Sequence, residues 1–175
     1  MQTRISTEVQ TILEFSRDEA MRTGWMQIGA DHILLGILRH SDNDACRCLT
    51  ALGVDQDELK SSLEGSLFKP RGISFAEGDN ITFGRSAQSV ISLASLEASI
   101  AGADHICTAH LLLAILRTAR TAGFSYFSAT GIGHKAAAAY MKEHSMLSPG
   151  TVSDSPEQIS SVFEIPLYQD GKILS

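Results

Sequence analysis

The sequence predicts an all-α fold that consists of two related four-helix units. Two observations carry this prediction: a segment around residue 32 recurs 78 residues later, and helical spacing with suitable capping residues covers most of the chain. The composition agrees, because the chain is 43% hydrophobic but only 6% aromatic, and a core of aliphatic residues and alanine favours helices over strands. At 175 residues, the chain has room for one domain or for two small units that share a core.

The duplication centres on an apolar segment that contains a histidine. Residues 29–39 align with the second copy without a gap, which places His32 over His110. The alignment extends upstream, where residues 5–39 share 11 identities in 35 positions with residues 83–117. Two copies are too few for a solenoid, so we expect a pair of similar units packed face to face.

In the first unit, runs with helical spacing follow residues that suit helix caps. Ser6 or Thr7 caps the first predicted helix, and Gly24 ends it. The second helix has almost no polar face, so we expect it at the buried centre of the unit. Asp55 caps the fourth helix, with Glu58 completing a capping box. The four helices are predicted at 6–23, 29–39, 43–52 and 55–64.

The second unit repeats this plan after a linker. Residues 66–82 contain a proline and glycines, and their pattern is compatible with a short hairpin. Thr108 suits the N-cap of the second histidine-containing helix. The helices of this unit are predicted at 85–101, 108–118, 121–129 and 134–145.

These patterns divide the chain into a double domain, residues 1–148, and a C-terminal extension, residues 149–175. Gly65 closes the first unit. The extension looks like a linker followed by an extended stretch with a turn at Asp170, and it either docks as a strand on residues 73–83 or forms a tail. Within the double domain, repeat one covers 1–65, the linker 66–82 and repeat two 83–148.

Charge and hydropathy exclude several classes of protein. The net charge is −6 without a basic cluster, so we expect neither nucleic acid nor an anionic membrane surface as a partner. The longest apolar run is too short to span a bilayer, and acidic residues interrupt any signal-peptide core, so we expect a cytoplasmic protein. The cysteines fit the same compartment as small buried hydrophobic residues: Cys46, Cys48 and Cys107.

No pattern of catalytic residues stands out. The sequence contains neither a G-x-x-x-x-G-K-[ST] phosphate-binding loop nor a G-x-S-x-G nucleophile elbow. Because both His32 and His110 begin aliphatic helices, we expect them to be buried and hydrogen-bonded rather than metal ligands. The sequence therefore predicts a protein that is not an enzyme and holds no metal or cofactor.

The duplicated segments resemble the Clp N-terminal repeat, which occurs twice in the N-domains of the ClpA, ClpB and ClpC unfoldases. The resemblance covers about residues 3–146 and implies an all-α fold of two pseudo-twofold related four-helix units. It also implies a role in binding substrates or adaptors for a ring-shaped ATPase. The residues that carry it are Glu19-Ala20, Gly24, Ile28-Gly29, 31–39 and Leu52-Gly53-Val54-Asp55, then Glu97-Ala98, Gly102, Ile106 and 110–117.

Without the ATP-binding loop, the resemblance implies a non-enzymatic binding module for Clp proteolysis. Its expected partners are Clp-type unfoldase or protease subunits, adaptor proteins or protein substrates. The alternative is an accessory subunit that docks on a Clp ring through its tail. The Met1 start and the tail favour a free-standing protein over a fragment. An apolar binding surface at Trp25, Met26 and Phe75 is the less favoured alternative to ordinary packing of these residues.

The resemblance to ClpC-type N-domains also implies a phosphoarginine site in repeat one. Asp31 takes the place of the acid that binds the guanidinium, and Ser6 and Thr7 lie at the helix start that binds the phosphate. The equivalent residues of repeat two are Ala109 and Gly84, so we expect no second site. The alternative role for Asp31 is to stabilise the dipole of its own helix.

Overall fold

The computed structural model of the protein describes residues 4–69, 80–118 and 120–147, together with three two-residue strands in the C-terminal extension. Eight helices in these ranges divide equally between the repeats, which confirms the predicted all-α fold. Repeat one contains α1 (Thr7–Thr23), α2 (Ala30–His40), α3 (Asp44–Ala51) and α4 (Gln56–Leu67). Repeat two contains α5 (Arg85–Ile100), α6 (Thr108–Arg117), α7 (Ala122–Thr130) and α8 (His134–Glu143).

The four helices of repeat two each begin 78 residues after their counterparts in repeat one. Two details differ from the prediction. The fourth helix does not end before Gly65, because α4 continues through Gly65 to Leu67, which is buried in the core. Thr108 is the first residue of α6 rather than its N-cap, because Cys107 takes the cap position and donates its backbone N–H to the ring of His110.

The two central helices are α2 and α6, as their lack of a polar face predicts. Every residue from Ala30 to Leu38 and from Thr108 to Leu116 is buried. α1 packs along α2, and α5 packs along α6, in two antiparallel hairpins. Burial of one leucine or isoleucine side chain in such a core contributes about 1.5–3 kcal/mol, so the apolar residues of these two hairpins contribute strongly to the stability.

Both histidines of the duplicated segment are buried and hydrogen-bonded, as predicted. His32 accepts the backbone N–H of Gly29 at Nδ1 (2.9 Å), and its Nε2 lies 3.0 Å from the Thr23 hydroxyl. His110 makes the equivalent bond to the N-cap amide of α6, and its Nε2 donates to the Leu147 carbonyl (2.7 Å). Burial lowers the pKa of His32 to about 4 and also lowers the pKa of His110, so both rings are neutral at pH 7.

Short strands exchange between the repeats. Strands β2 (Gln27–Ile28) and β3 (Thr82–Phe83) pair in parallel, with Ile28 opposite Phe83. Ile5, in strand β1 (Arg4–Ile5), forms the matching bridge to Ile106. Each repeat therefore begins with a strand that crosses to the other repeat. The hairpin predicted in the linker lies mostly outside the described residues.

The described strands of the extension pair in two places. Strand β4 (Glu157–Gln158) is antiparallel to β1. Most of residues 73–83, the docking place predicted for the extension, lies outside the described residues. Strands β5 (Tyr168–Gln169) and β6 (Lys172–Ile173) form a hairpin around the predicted turn. Among the described helices, none is both long and apolar enough to cross a membrane.

Candidate functional site

A cavity of about 580 Å³ lies where the N-termini of α2, α5 and α7 converge, and we call it the Asp31 pocket. Repeat one contributes Trp25 and Asp31 to its wall. Repeat two contributes Arg85 and Ser86 from the start of α5 and Arg120 from the connection before α7. A cavity of this size accommodates a small ligand or a few side chains of a bound segment.

Asp31 links α2 to the N-terminus of α7. Its side chain is buried, with the residue 8% exposed, and its two oxygens accept the backbone N–H groups of Ala122 (2.9 Å) and Gly123 (2.8 Å). Burial raises the pKa of the Asp31 carboxyl, and these two hydrogen bonds partly oppose that shift. Asp31 therefore lies in the first turn of α2, where an acid is expected to stabilise the helix dipole, but its hydrogen bonds cap a helix of the other repeat.

The first turn of α5 faces the pocket without a side-chain cap. Gly84 is the N-cap residue, and a Cβ added to it would lie only 3.2 Å from the Ile28 carbonyl oxygen. Ser86, two residues on, accepts the backbone N–H of Ala30 (2.9 Å) through its hydroxyl. The crossing strand β3 thus brings an uncapped helix N-terminus next to the acid of repeat one.

The structure does not bring Ser6 and Thr7 together with Asp31. Because α1 and α2 are antiparallel, Asp31 lies beside the C-terminal end of α1, and the 17-residue helix puts its N-terminus roughly 25 Å away. Ser6 caps α1 by accepting the N–H of Val9 (3.2 Å), and its own N–H donates to the Ile106 carbonyl (3.0 Å). The predicted set is therefore divided between two places in the fold.

The apolar wall of the pocket is half-buried Trp25. Its indole N–H donates to the Leu67 carbonyl (2.6 Å), and the Lys69 ammonium lies 3.6 Å from the ring centroid. Its neighbour Met26 is 37% exposed. Phe75, the third residue predicted for an apolar surface, lies outside the described residues.

The pseudo-twofold counterpart of the pocket lies at the N-termini of α6, α1 and α3. We call it the Ala109 face. Ala109 is the counterpart of Asp31, 78 positions later, and the other members lie 78 positions before the pocket residues of repeat two. Burial, and to a smaller extent repulsion from Asp44 and Glu8, raises the pKa of the Cys107 thiol at the start of α6 to about 12. The members of the face are Ser6, Thr7, Glu8, Asp42, Asp44 and Ala109.

Sequence reasoning missed Arg85, Ser86 and Arg120 as pocket residues. It compared positions within one repeat, whereas the pocket joins the central helix of one repeat to the first helix of the other. The 78-residue offset was the available signal, because it marks residues 84–86 as the counterparts of 6–8. The offset does not reveal that the first strand of each repeat pairs with the other repeat.

Comparison with known proteins agrees with this architecture. The family model for the Clp repeat (R) N-terminal domain matches residues 4–129. ClpC/MecB from Bacillus subtilis, named as a negative regulator of genetic competence, is 31% identical over 114 residues, which is 65% of this chain and 14% of that protein. The ClpB chaperone of Oceanobacillus iheyensis gives the same figures. The chain thus spans only about a seventh of the length of these relatives.

Solved structures share the fold. The N-terminal domain of the E. coli ClpV1 ATPase superposes with a TM-score of 0.66 at 20% identity, covering 85% of this chain and 92% of that one. The match spans both repeats, so the arrangement of two helical units is one that other proteins adopt.

Proposed function

Because the chain belongs to the Clp repeat (R) N-terminal domain family, we propose that it is a non-enzymatic module that binds protein substrates or adaptors for Clp-type proteolysis. Its partners would be Clp unfoldase or protease subunits, adaptors or protein substrates. The observation that carries the proposal is the double-repeat fold with a pocket between the repeats, lined by an aromatic wall and charged groups. A site of this kind suits binding of a protein segment.

A pull-down with the Clp unfoldase and protease subunits of the same organism tests the proposal. We expect immobilised protein to retain a Clp subunit, an adaptor or a known degradation substrate. Ser89→Trp, which fills the pocket from α5, should abolish retention. Thr11→Trp is the matched control, because Thr11 is the counterpart of Ser89 on α1 and lies outside the pocket lining. Failure of the wild-type protein to retain any of these proteins would overturn the proposal.

The alternative is an accessory subunit that docks on a Clp ring through its C-terminal extension. The observation that supports it is the pairing of β4 with β1, which holds the described residues 157–158 of the extension beside the first strand of repeat one. Truncation after Gln158 keeps that pairing and removes the rest. Loss of ring association with retained substrate binding would support the alternative, and unchanged association would exclude it.

Phosphoarginine binding stays a separate proposal for this pocket. Asp31 would hold the guanidinium, whereas the phosphate would meet the start of α5 rather than Ser6 and Thr7, which lie at the other end of the α1–α2 hairpin. Calorimetry with phosphoarginine decides it: binding lost in Asp31→Ala supports the site, and no heat with the wild-type protein ends the idea.

A further inference from the structure

We propose that the Asp31 pocket selects an acidic segment of its protein partner, one that presents aspartate or glutamate carboxylates beside an apolar residue. This inference rests on the proposed binding function and specifies the chemistry of the bound segment. Three features of the pocket support it: two arginines that pair with none of the described residues, a helix N-terminus without a side-chain cap, and a counterpart face that carries acidic residues instead.

The cationic groups of the pocket are available to a ligand. Among the residues that the structure describes, neither Arg85 nor Arg120 has an ion-pair partner, and both are exposed at the pocket wall. Asp31 is the one carboxylate among the described lining residues, and both of its oxygens already accept backbone N–H groups. An arriving anion therefore meets two free guanidinium groups, which bind carboxylates bidentately.

The backbone adds to this preference. The first turn of α5 has no side-chain cap, whereas Ser6 caps the corresponding turn of α1 at 3.2 Å. Free N–H groups at a helix start favour an anion, and Arg85 lies on this turn. The side chain and the backbone of the same turn therefore attract the same kind of ligand.

The counterpart face carries acidic residues instead, although Arg47 pairs with two of them, Asp42 (2.7 Å) and Asp44 (2.8 Å). Arg120 corresponds to Asp42, Ser86 to Glu8 and Ala122 to Asp44, while Arg85 corresponds to neutral Thr7. The fold places both sets at equivalent helix ends, so the sign of the charge is not a consequence of the architecture. In a chain of net charge −6, a pocket with two arginines that pair with no described acid is a local concentration of positive charge.

The apolar wall of the pocket accounts for the apolar residue in the proposed segment. Trp25 presents a large apolar surface that Lys69 covers from one side. A leucine or similar side chain next to the carboxylate would contact this surface, and the 580 Å³ cavity has room for two or three side chains.

Fluorescence anisotropy with labelled octapeptides tests the inference on the full chain. One peptide carries two glutamates beside a leucine, and its control carries two glutamines in their place. We expect the glutamate peptide to bind about tenfold more tightly at low salt, with the difference shrinking as salt increases. Arg85→Gln with Arg120→Gln should reduce that preference to less than about threefold. The matched control, Lys135→Gln with Lys142→Gln on α8, removes the same charge away from the pocket and should keep it.

Four results would overturn the inference. Equal affinity for the two peptides, or no affinity for either, contradicts it, while the pull-down decides separately whether the binding function stands. If the double arginine variant still prefers the glutamate peptide, the preference does not come from Arg85 and Arg120. Tighter binding of an arginine-phosphorylated peptide, lost in Asp31→Ala, assigns the pocket to a guanidinium ligand instead.

Discussion

The Asp31 pocket and the Ala109 face occupy equivalent ends of two matched repeats, yet they differ in almost every polar residue. The central histidines and the links between the helices recur: Glu19 lies 3.6 Å from Arg39, and Glu97 lies 3.5 Å from Arg117. At the helix ends, by contrast, the acid that caps α7 has an alanine as its counterpart. The residues that pack the helices together are therefore shared by the two repeats, whereas the residues at these helix ends differ and make the two sites chemically distinct.

The two repeats also differ at one position in the core. In repeat one, Gly36 of α2 lies against α1, where a Cβ would be 2.6 Å from the Ile12 carbonyl oxygen and 2.7 Å from the Ser16 hydroxyl. Repeat two has Ala114 and Ala94 at the equivalent positions of Gly36 and Ser16. The α1–α2 hairpin is therefore packed more closely at this point than a side chain on α2 allows.

The largest effect should come from reversing this difference. Gly36→Ala should destabilise the protein by about 3 kcal/mol, because the new methyl group forces α1 away from α2. The control Ala114→Gly should cost only about 1 kcal/mol from helix propensity. Urea unfolding measures both. Adding Ser16→Ala to Gly36→Ala should recover part of the loss, and equal costs for the two single variants would contradict the packing difference.

Acidification should destabilise the fold through the histidines. The folded-state pKa of His32 is lowered to about 4 from an ordinary value of 6.5, so the unfolded chain binds the proton more tightly. Stability is fully present above pH 6.5 and is lost as the pH falls towards 4, by about 2 kcal/mol between pH 7 and pH 5. Asp31, with its raised pKa, acts in the opposite direction.

Urea unfolding at these two pH values checks this expectation. The difference in unfolding free energy should shrink in His32→Gln, which has no ring to protonate, although that variant is less stable overall. A wild-type difference that His32→Gln leaves unchanged would show that burial of this ring is not the cause.

A smaller loss is expected from the contact that joins the repeats. Asp31→Ala removes the acceptor of two backbone N–H groups of α7 and should destabilise the protein by about 1 to 2 kcal/mol. Asp57→Ala, at an exposed first-turn acid of α4, should cost no more than about 0.5 kcal/mol. Hydrogen exchange should show that the loss is concentrated in the first turn of α7, and uniform exchange would argue against the cap.

The helices could be predicted from the sequence because their signals are local. Ser6, Asn43 and Asp55 accept backbone N–H groups at the helix starts, and Gly24 adopts the left-handed conformation at the end of α1. Gly65 misled the prediction because burial of Leu67, a tertiary contact, outweighs the weak helix propensity of glycine.

The site could be predicted only in part. Asp31 does line the pocket, but its hydrogen bonds reach residues 91 and 92 positions further along the chain. Pairing Asp31 with Ser6 assumed that each repeat completes its own site. The exchange of β1 and β3 between the repeats is a long-range backbone pairing, and no periodicity within a repeat encodes it.

We expect ligand to bind at the Asp31 pocket and not at the Ala109 face. The most direct measurement is an NMR titration of ¹⁵N-labelled protein with the glutamate octapeptide. We predict that the backbone amides of residues 85–89 and 121–123 shift, while those of residues 6–8 and 107–109 do not. Comparable shifts at both places, or shifts confined to the Ala109 face, would contradict the account.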